Sequence, residues 1–206
     1  MIHLLQHHTP NFKPLIDITR PLHEAYCNKH GYNLNIQAVP EYEVYDGEYK
    51  LKQILEFCEE GDIALVIDAD AMITNMDITI ESFLEDGKDL FLSEGLNMGV
   101  FIVRKTKWLT NFIEWVLVGI YIKMYHCEQD AIMDMKDDFL KQGTTKILPH
   151  PCFNSYPSIY YPEVPQPVSK EQGNWETGCY VIHTPALSLE KRCEILNQIK
   201  EQIVYE

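Results

Sequence analysis

Residues 63–70, IALVIDAD, form the segment that most limits what this chain can fold into. Five consecutive apolar residues without polar alternation predict a strand that is buried on both faces, as in a parallel sheet covered by helices on both sides. The run continues into Asp68 and Asp70, two carboxylates one residue apart. Like charges at the edge of a core are unfavourable unless a cation neutralises them, so the segment predicts a central strand that ends at a cation site. The competing interpretation is that both aspartates cap a turn and contact only water.

Strand and helix patterns alternate along the rest of the chain, which predicts an α/β fold with a mostly parallel central sheet and helices on both faces. Its 206 residues suit a single domain. We expect Pro21 in the first turn of one helix, Gly31 at its C-terminus and Gly61 at the end of the next helix. Strands are predicted over residues 2–5, 33–39, 63–68, 89–93, 100–104, 145–149 and 179–183, helices over 19–32, 50–60, 106–124, 128–141 and from about 188, and a polar loop over 7–14.

The composition limits the partners. A net charge of −14 argues against a nucleic-acid-binding surface, and it would repel a phosphate-bearing substrate unless cations screened the site. The six cysteines include no C-x-x-C pair, and residues 1–12 do not read as a secretory segment, so we expect a reduced, cytoplasmic protein. The longest apolar stretch, residues 108–122, falls short of the ~20 residues that span a bilayer and predicts a buried helix rather than a transmembrane segment.

Three further places carry side chains suited to a ligand site, and each has an ordinary structural explanation beside it. Asn97 and Gly99 precede a strand, where they could border a ligand or form a plain turn. Glu128, Gln129 and Asp130 lie at the expected start of a helix, where acidic residues offset the helix dipole by default. His183 ends a late strand, and a lone histidine is more often structural than a ligand.

The aspartate pair suits a hard divalent cation. Residues two apart in an extended segment point the same way, so Asp68 and Asp70 can face one ligand. Ligands of open α/β sheets bind beyond the carboxyl ends of the strands. Mg²⁺ and Mn²⁺ prefer oxygen ligands, often one or two carboxylates plus substrate phosphates, and a neutral imidazole such as His183 is a good third ligand for a transition metal. The pattern therefore suits a metal site at this edge about as well as it suits a turn that contacts only water.

The chain resembles the metal-dependent glycosyltransferases of the GT-A fold, and within them glycosyltransferase family 34, the α-galactosyl, α-mannosyl and α-xylosyltransferases. The same motif order occurs in glycogenin-like retaining enzymes. The resemblance lies in "YCNKHGY" (26–32), "YKLKQIL" (49–55), "VIDADAMITN" (66–75), "LNMGVFIVRKTKW" (96–108), "EQDAI" (128–132) and "VIHT" (181–184).

The resemblance implies a retaining transferase that takes a hexose or pentose from a UDP- or GDP-sugar, UDP being preferred, and gives it to a carbohydrate, lipid or protein acceptor. It implies Mn²⁺ or Mg²⁺ on Asp68, Asp70 and His183. Residues 1–95 would form the nucleotide-binding half, and residues 96–206 the half that completes the metal site and binds the acceptor. The resemblance places at the donor Thr9, Lys52 (or Lys50, if the helix register differs), Asp68, Ala69, Asp70, Asn97, Met98 and Gly99, and at the reacting sugar Asn97, Gln129 and Asp130.

The chain departs from the family in the loop after the late histidine. The family usually has a glycine there, whereas this chain reads HTPALSLEKR, which puts the phosphate contacts of that loop in doubt. Without the anchor and stem common in the family, a bacterial, phage or viral origin fits better than a secretory-pathway one.

Residues 150–178, rich in proline and aromatics and without periodicity, predict a functional or mobile segment. Its aromatic residues could stack on sugars, together with Trp175. They are Phe153, Tyr156, Tyr160 and Tyr161. Two other functions stay open from the sequence alone: a sugar-phosphate nucleotidyltransferase, and a carbohydrate-binding protein without turnover. The nucleotidyltransferase ranks lower, because QHHTPNFKP has no glycine and one lysine where such enzymes carry a Gly-rich, basic loop.

Overall fold

The computed structural model describes residues 1–40, 47–149, 153–157 and 173–203. These ranges contain eight strands: β1 (Ile2–His8), β2 (Asn33–Ala38), β3 (Ile63–Ile67), β4 (Ala71–Ile73), β5 (Leu90–Ser93), β6 (Val100–Arg104), β7 (Thr145–Leu148) and β8 (Val181–His183). They also contain five α-helices: α1 (Lys13–His30), α2 (Glu48–Phe57), α3 (Lys107–Tyr121), α4 (Glu128–Gln142) and α5 (Leu189–Lys200).

Six of the strands form one sheet in the order β2-β1-β3-β6-β5-β7. β6 is antiparallel to both of its neighbours, while the β1–β2, β1–β3 and β5–β7 pairs are parallel. The predicted α/β fold with a mostly parallel central sheet is therefore confirmed. β4 and β8 pair antiparallel in a separate small sheet, and the sequence patterns had not indicated β4.

The central strand β3 contributes to two cores, one on each face of the sheet. Leu65 and Ile67 pack with α1, α5 and the small sheet. Ala64 and Val66 pack with α2, α3 and α4. Successive side chains of a strand point to opposite faces, so a strand between two helical layers needs apolar residues at every position. This arrangement explains why no polar residue interrupts β3.

The first helix is longer than the sequence pattern predicted. α1 begins at Lys13, with Pro14 in its first turn, and Pro21 lies inside the helix rather than at its start. A proline inside a helix removes one backbone hydrogen bond. The helix continues through Pro21 because its inner face is packed in the core, where Leu15 and Leu22 are fully buried. β1 likewise runs on to His8 and a short 3-10 helix follows it, so the predicted polar loop over 7–14 is wrong.

Two further helices differ from expectation. α2 ends at Phe57 rather than at Gly61, which lies in the turn before β3 with a φ of 90°. The stretch over residues 108–122 is helical but not buried all round. Val116 is buried, whereas Trp115 and Tyr121 are exposed, so one apolar face of α3 is exposed in the described structure. None of the described helices meets the length and hydropathy that crossing a membrane requires.

The end of the chain follows the prediction more closely. Ser188 caps α5, its side chain accepting a hydrogen bond from the Lys191 N–H at 3.3 Å. Much of the irregular segment predicted over 150–178, with Tyr160 and Tyr161, lies outside the described residues. The single-domain organisation and its division at residue 95 stay predictions.

Candidate functional site

Asp68, Asp70 and His183 converge at the carboxyl end of β3. His183 Nε2 lies 3.4 Å from Asp70 Oδ1 and 4.0 Å from Asp68 Oδ2. One ligand atom from each residue lies within 4.8 Å of the others, so the three form a cluster that could hold a metal ion. His183 is far from the two aspartates in sequence, and the fold brings together the three predicted metal ligands.

Pairing between β4 and β8 produces this convergence. Ala71 is opposite His183 in the small antiparallel sheet, which places the histidine beside the Asp68–Asp70 turn. The Asp70 carbonyl accepts hydrogen bonds from the Thr184 N–H and hydroxyl, both at 3.0 Å. The His183 N–H donates to Ser155 O at 2.8 Å, which fixes the strand on its other side. The aspartate turn and the histidine are therefore held by backbone contacts.

The turn before β6 closes a third side of the cluster. Gly99 O accepts a hydrogen bond from the Asp68 N–H at 2.8 Å. A Cβ on Gly99 would lie 2.1 Å from His183 Cε1, closer than atoms can approach. Asn97 Oδ1 accepts from the Gly99 N–H at 2.8 Å and from Asn154 Nδ2 at 3.1 Å. Glycine is thus required at position 99 for close approach to His183, and the amide of Asn97 is held in place.

Two basic side chains hold the carboxylate oxygens. Lys50 Nζ lies 2.7 Å from Asp68 Oδ1, and Arg192 Nη1 lies 3.1 Å from Asp70 Oδ2. The other oxygen of each carboxylate is the one near His183. Lys50 also contacts Glu128 Oε1 at 2.8 Å, and both of these side chains are buried. Each aspartate therefore has one oxygen paired with a cation and one directed to the cluster.

The two carboxyl groups have opposite pKa shifts. Burial raises the pKa of Asp68 to about 6, and the neighbouring charge of Asp70 adds to that rise against the effects of Lys50 and His183. Burial also acts to raise the pKa of Asp70, but His183 and Arg192 outweigh it and hold that pKa below its ordinary value. Asp68 has the higher pKa of the two, so a proton or a cation bound there reduces the repulsion between the two carboxylates.

The cluster lies in a cleft of about 340 Å³. Three predicted site residues do not line it. Thr9 is buried, Asp130 is exposed with its Oδ2 accepting a hydrogen bond from the His126 N–H, and Lys52 pairs with Glu48 on the surface of α2. The predicted residues that do line the cleft are Asp68, Ala69, Asp70, Asn97, Met98, Gly99, Gln129 and His183.

Lys50, the alternative to Lys52, lines the cleft, so the register of α2 directs position 50 inward. The sequence interpretation gave no role to Glu128, Arg192 or His7, which also line it. Glu128 was visible in the EQD motif, but its partner Lys50 lies 78 residues earlier. No sequence signal separated Arg192 from its neighbour Lys191.

Two of the aromatic residues that could stack on sugars make contacts within the protein. Phe153 is fully buried and packs edge-on against Phe83 at 5.1 Å between ring centroids. Trp175 is partly buried, and its Nε1 donates to Thr74 Oγ1 at 3.0 Å. Tyr156 lies nearer the cluster, with its ring centroid 6.0 Å from that of His183.

The spacing and the donor types of the cluster suit a divalent metal ion. Metal–oxygen bonds of about 2.1 Å in an octahedron put neighbouring ligand atoms about 3.0 Å apart and opposite ones about 4.2 Å apart. The distances of 3.4 and 4.0 Å from His183 Nε2 to the aspartate oxygens lie between those values. Two carboxylates and one imidazole are also the donor types that suit Mn²⁺. Asp68, Asp70 and His183 are therefore the residues that would hold the ion.

The fold is shared with solved glycosyltransferases. The chain matches a glycosyltransferase involved in the glycosylation of the major capsid of PBCV-1 with a TM-score of 0.71 and 18% identity, over 96% of this chain and 98% of that one. It matches an active-site mutant of LgtC with a TM-score of 0.60 and 11% identity, over 98% and 96%. It matches mouse xyloside xylosyltransferase 1 with a TM-score of 0.52 and 12% identity, over 90% and 98%.

These similarities define the class of the fold. The chain has the GT-A glycosyltransferase fold, and the predicted resemblance to GT-A enzymes such as family 34 is confirmed at that level. No model of a protein family matches the chain, and no curated protein does.

Proposed function

We propose that this protein is a metal-dependent glycosyltransferase that moves a hexose or pentose from a nucleotide-diphospho-sugar to a carbohydrate, lipid or protein acceptor with retention. A UDP-sugar is the preferred donor and a GDP-sugar the alternative. The observation that carries the proposal is the Asp68–Asp70–His183 cluster at the end of β3, inside a cleft. The likeness of the fold to solved glycosyltransferases supports the same reaction class.

The charge balance of the cleft supports a cation-dependent donor site. Asp68, Asp70 and Glu128 bring three carboxylates, against which Lys50 and Arg192 bring two cations. A diphosphate would add further negative charge. A bound Mn²⁺ or Mg²⁺ would offset it and stabilise the departing nucleoside diphosphate.

The roles of the remaining lining residues follow from their positions. In this proposal Asn97 and Gly99 border the donor sugar, because both residues line the cleft in the turn before β6. Gln129 faces the anomeric centre, and its Oε1 accepts from the Met98 N–H at 3.3 Å, which orients the amide. Asp130 has no part in this proposal, because it is exposed outside the cleft.

The test compares wild type with Asp70→Asn, and uses Asp77→Asn as the matched control because Asp77 is exposed and pairs only with Lys29 among the described residues. Each protein is incubated with UDP- and GDP-sugars in Mn²⁺, Mg²⁺ or chelator, and release of the nucleoside diphosphate is measured. Thermal shift on the same panel reports binding, because a ligand selective for the native state raises its stability.

We expect turnover in wild type and in Asp77→Asn only with metal, and its loss in Asp70→Asn. If wild type neither binds nor hydrolyses any UDP- or GDP-sugar in the presence of metal, the proposal is wrong. Pyrophosphate release from a nucleoside triphosphate would instead indicate a nucleotidyltransferase. Acceptor binding without donor turnover would indicate a carbohydrate-binding protein.

A further inference from the structure

The loop that follows His183 is poorly equipped to bind a phosphate. Pro185 has no N–H, and the N–H and hydroxyl of Thr184 donate to the Asp70 carbonyl. Ala186 adopts φ 60°, a left-handed conformation that glycine adopts without strain. The protein's own contacts to a diphosphate must therefore come mainly from side chains.

Two lysine or arginine residues, Lys50 and Arg192, line the cleft among the described residues. Lys50 is 3% exposed, and its Nζ has three oxygen partners, on Asp68, Glu128 and the Met98 carbonyl. An ammonium has three hydrogens to donate, so these contacts use its full capacity. A ligand could bind Lys50 only by displacing one of these three partners.

Arg192 is better placed for a ligand. Its Nε donates to Leu187 O at 2.8 Å, its Nη1 pairs with Asp70 Oδ2 at 3.1 Å, and its guanidinium lies 5.4 Å from the Phe12 ring centroid. A guanidinium has five N–H groups, so those two contacts leave donors for a further oxygen ligand. The side chain is 16% exposed, which gives it access to the cleft while its orientation is held.

The contact with Asp70 also sets where Arg192 acts. In the proposed reaction Asp70 would help to hold the divalent ion that offsets the charge of the donor diphosphate. A diphosphate bound beside Asp70 would lie close to Arg192, whose Nη1 pairs with Asp70 Oδ2 at 3.1 Å.

We propose that Arg192 binds the diphosphate of the donor and stabilises it as the leaving group. This inference rests on the proposed function and adds a donor-binding residue that lies outside every motif by which the chain resembles its family. Arg192 supplies from the start of α5 the phosphate contact that the loop at Pro185 and Ala186 lacks.

The test uses Arg192→Gln and Arg192→Lys, with Lys191→Gln as the control. Lys191 precedes Arg192 in the same helix but pairs with Glu194 on the surface, so its substitution removes the same charge away from the cleft. Binding of UDP and UMP in Mn²⁺ is measured by calorimetry, with GDP and GMP as the second pair. Mn²⁺ binding without nucleotide is measured by electron paramagnetic resonance.

We expect Arg192→Gln to weaken binding of the nucleoside diphosphate roughly 10- to 100-fold, as for the loss of a hydrogen bond to a charged group. The affinities for the monophosphate and for Mn²⁺ without nucleotide should stay within about threefold of wild type. If Arg192 only oriented Asp70, the substitution would instead lower the affinity for Mn²⁺. Arg192→Lys should weaken diphosphate binding by an intermediate amount, because lysine keeps the positive charge but lacks the planar guanidinium that can donate two parallel hydrogen bonds. Lys191→Gln behaves as wild type.

Unchanged diphosphate affinity in both Arg192 variants overturns the inference and leaves the proposed function standing. A loss of nucleotide-free Mn²⁺ binding equal to the loss of diphosphate binding also overturns it, because Arg192 would then act only through Asp70. If Arg192→Gln fails to fold, Arg192→Lys decides by the same criteria. Failure of wild type to bind any of these nucleotides in Mn²⁺ refutes the proposed function itself, and the inference with it.

Discussion

The substitution Gly99→Ala tests the geometry of the candidate metal site directly. Gly99 has no left-handed φ, so the backbone accepts alanine without strain and the new methyl group is the whole perturbation. That methyl would lie 2.1 Å from His183 Cε1 and 2.7 Å from Nε2. Carbon atoms in contact are about 3.5 Å apart, so the imidazole has to retreat by about 1.4 Å.

The imidazole has little room for that movement. His183 is 1% exposed, its N–H is bonded to Ser155 O, and it pairs with Ala71 across the small sheet. The overpacking should lower the free energy of unfolding by about 1–3 kcal/mol. A ring displaced by more than about 1 Å no longer meets an ion held by the aspartates, so we expect Mn²⁺ affinity to fall about 10- to 100-fold, by analogy with disturbed metal-site partners.

Mn²⁺ binding is measured by electron paramagnetic resonance and stability by urea unfolding, with Gly119→Ala as the control. A Cβ there would lie 2.7 Å from the Tyr125 ring, also too close, but neither Gly119 nor Tyr125 lines the cleft. The control should bind Mn²⁺ as wild type does. Wild-type Mn²⁺ affinity in Gly99→Ala would refute the reasoning, because His183 would then not be a ligand in the position described.

Three further predictions concern charge and backbone conformation. Lys50→Met should destabilise the fold by about 3–5 kcal/mol in urea unfolding, because it removes the ammonium group that pairs with the buried Glu128. Lys52→Met on the surface should change stability by less than about 0.5 kcal/mol, and equal effects of the two substitutions would contradict the assigned register. Burial lowers the pKa of His23 from 6.5 to about 3. His23 therefore binds a proton near pH 6.5 in the unfolded chain but not in the native protein, and stability falls as the pH drops below that value. When the pH falls from about 7.5 to 5, the free energy of unfolding of His23→Gln should decrease by about 2 kcal/mol less than that of wild type. Parallel pH profiles of the two proteins would argue against a neutral buried imidazole. Ala186→Gly should raise stability by up to about 1 kcal/mol by relieving the left-handed φ, and a lower melting temperature would contradict that strain.

The sequence predicted those parts of the fold that depend on the residue pattern within one continuous segment. A strand between two helical layers is apolar at every position, so β3 was recognisable from residues 63–67. Gly31 was expected at a helix C-terminus and has φ 73° there, because glycine adopts this conformation without a steric penalty. Asp68 and Asp70 were recognisable for the same local reason, since they follow a buried strand directly.

The sequence predicted less well where packing overrides local preference. Pro21 indicated a helix start, but the buried face of α1 offsets the lost hydrogen bond and the helix runs through it. Asp130 was expected at the reacting sugar, yet the first turn of α4 directs it to solvent and Glu128 into the cleft. Residues one or two positions apart on a helix face different directions, so a small change in register exchanges a site residue for a surface one.

By itself, the sequence determined that this chain folds as alternating strands and helices and ends a buried central strand on two acidic side chains. These properties depend on hydrophobic periodicity and on residues adjacent in the chain. Only the tertiary structure decided that His183 meets the aspartates, that Lys50 rather than Lys52 lines the cleft and that Arg192 holds Asp70. Those contacts join segments far apart in sequence, and strand order and helix packing, which no local pattern encodes, set them.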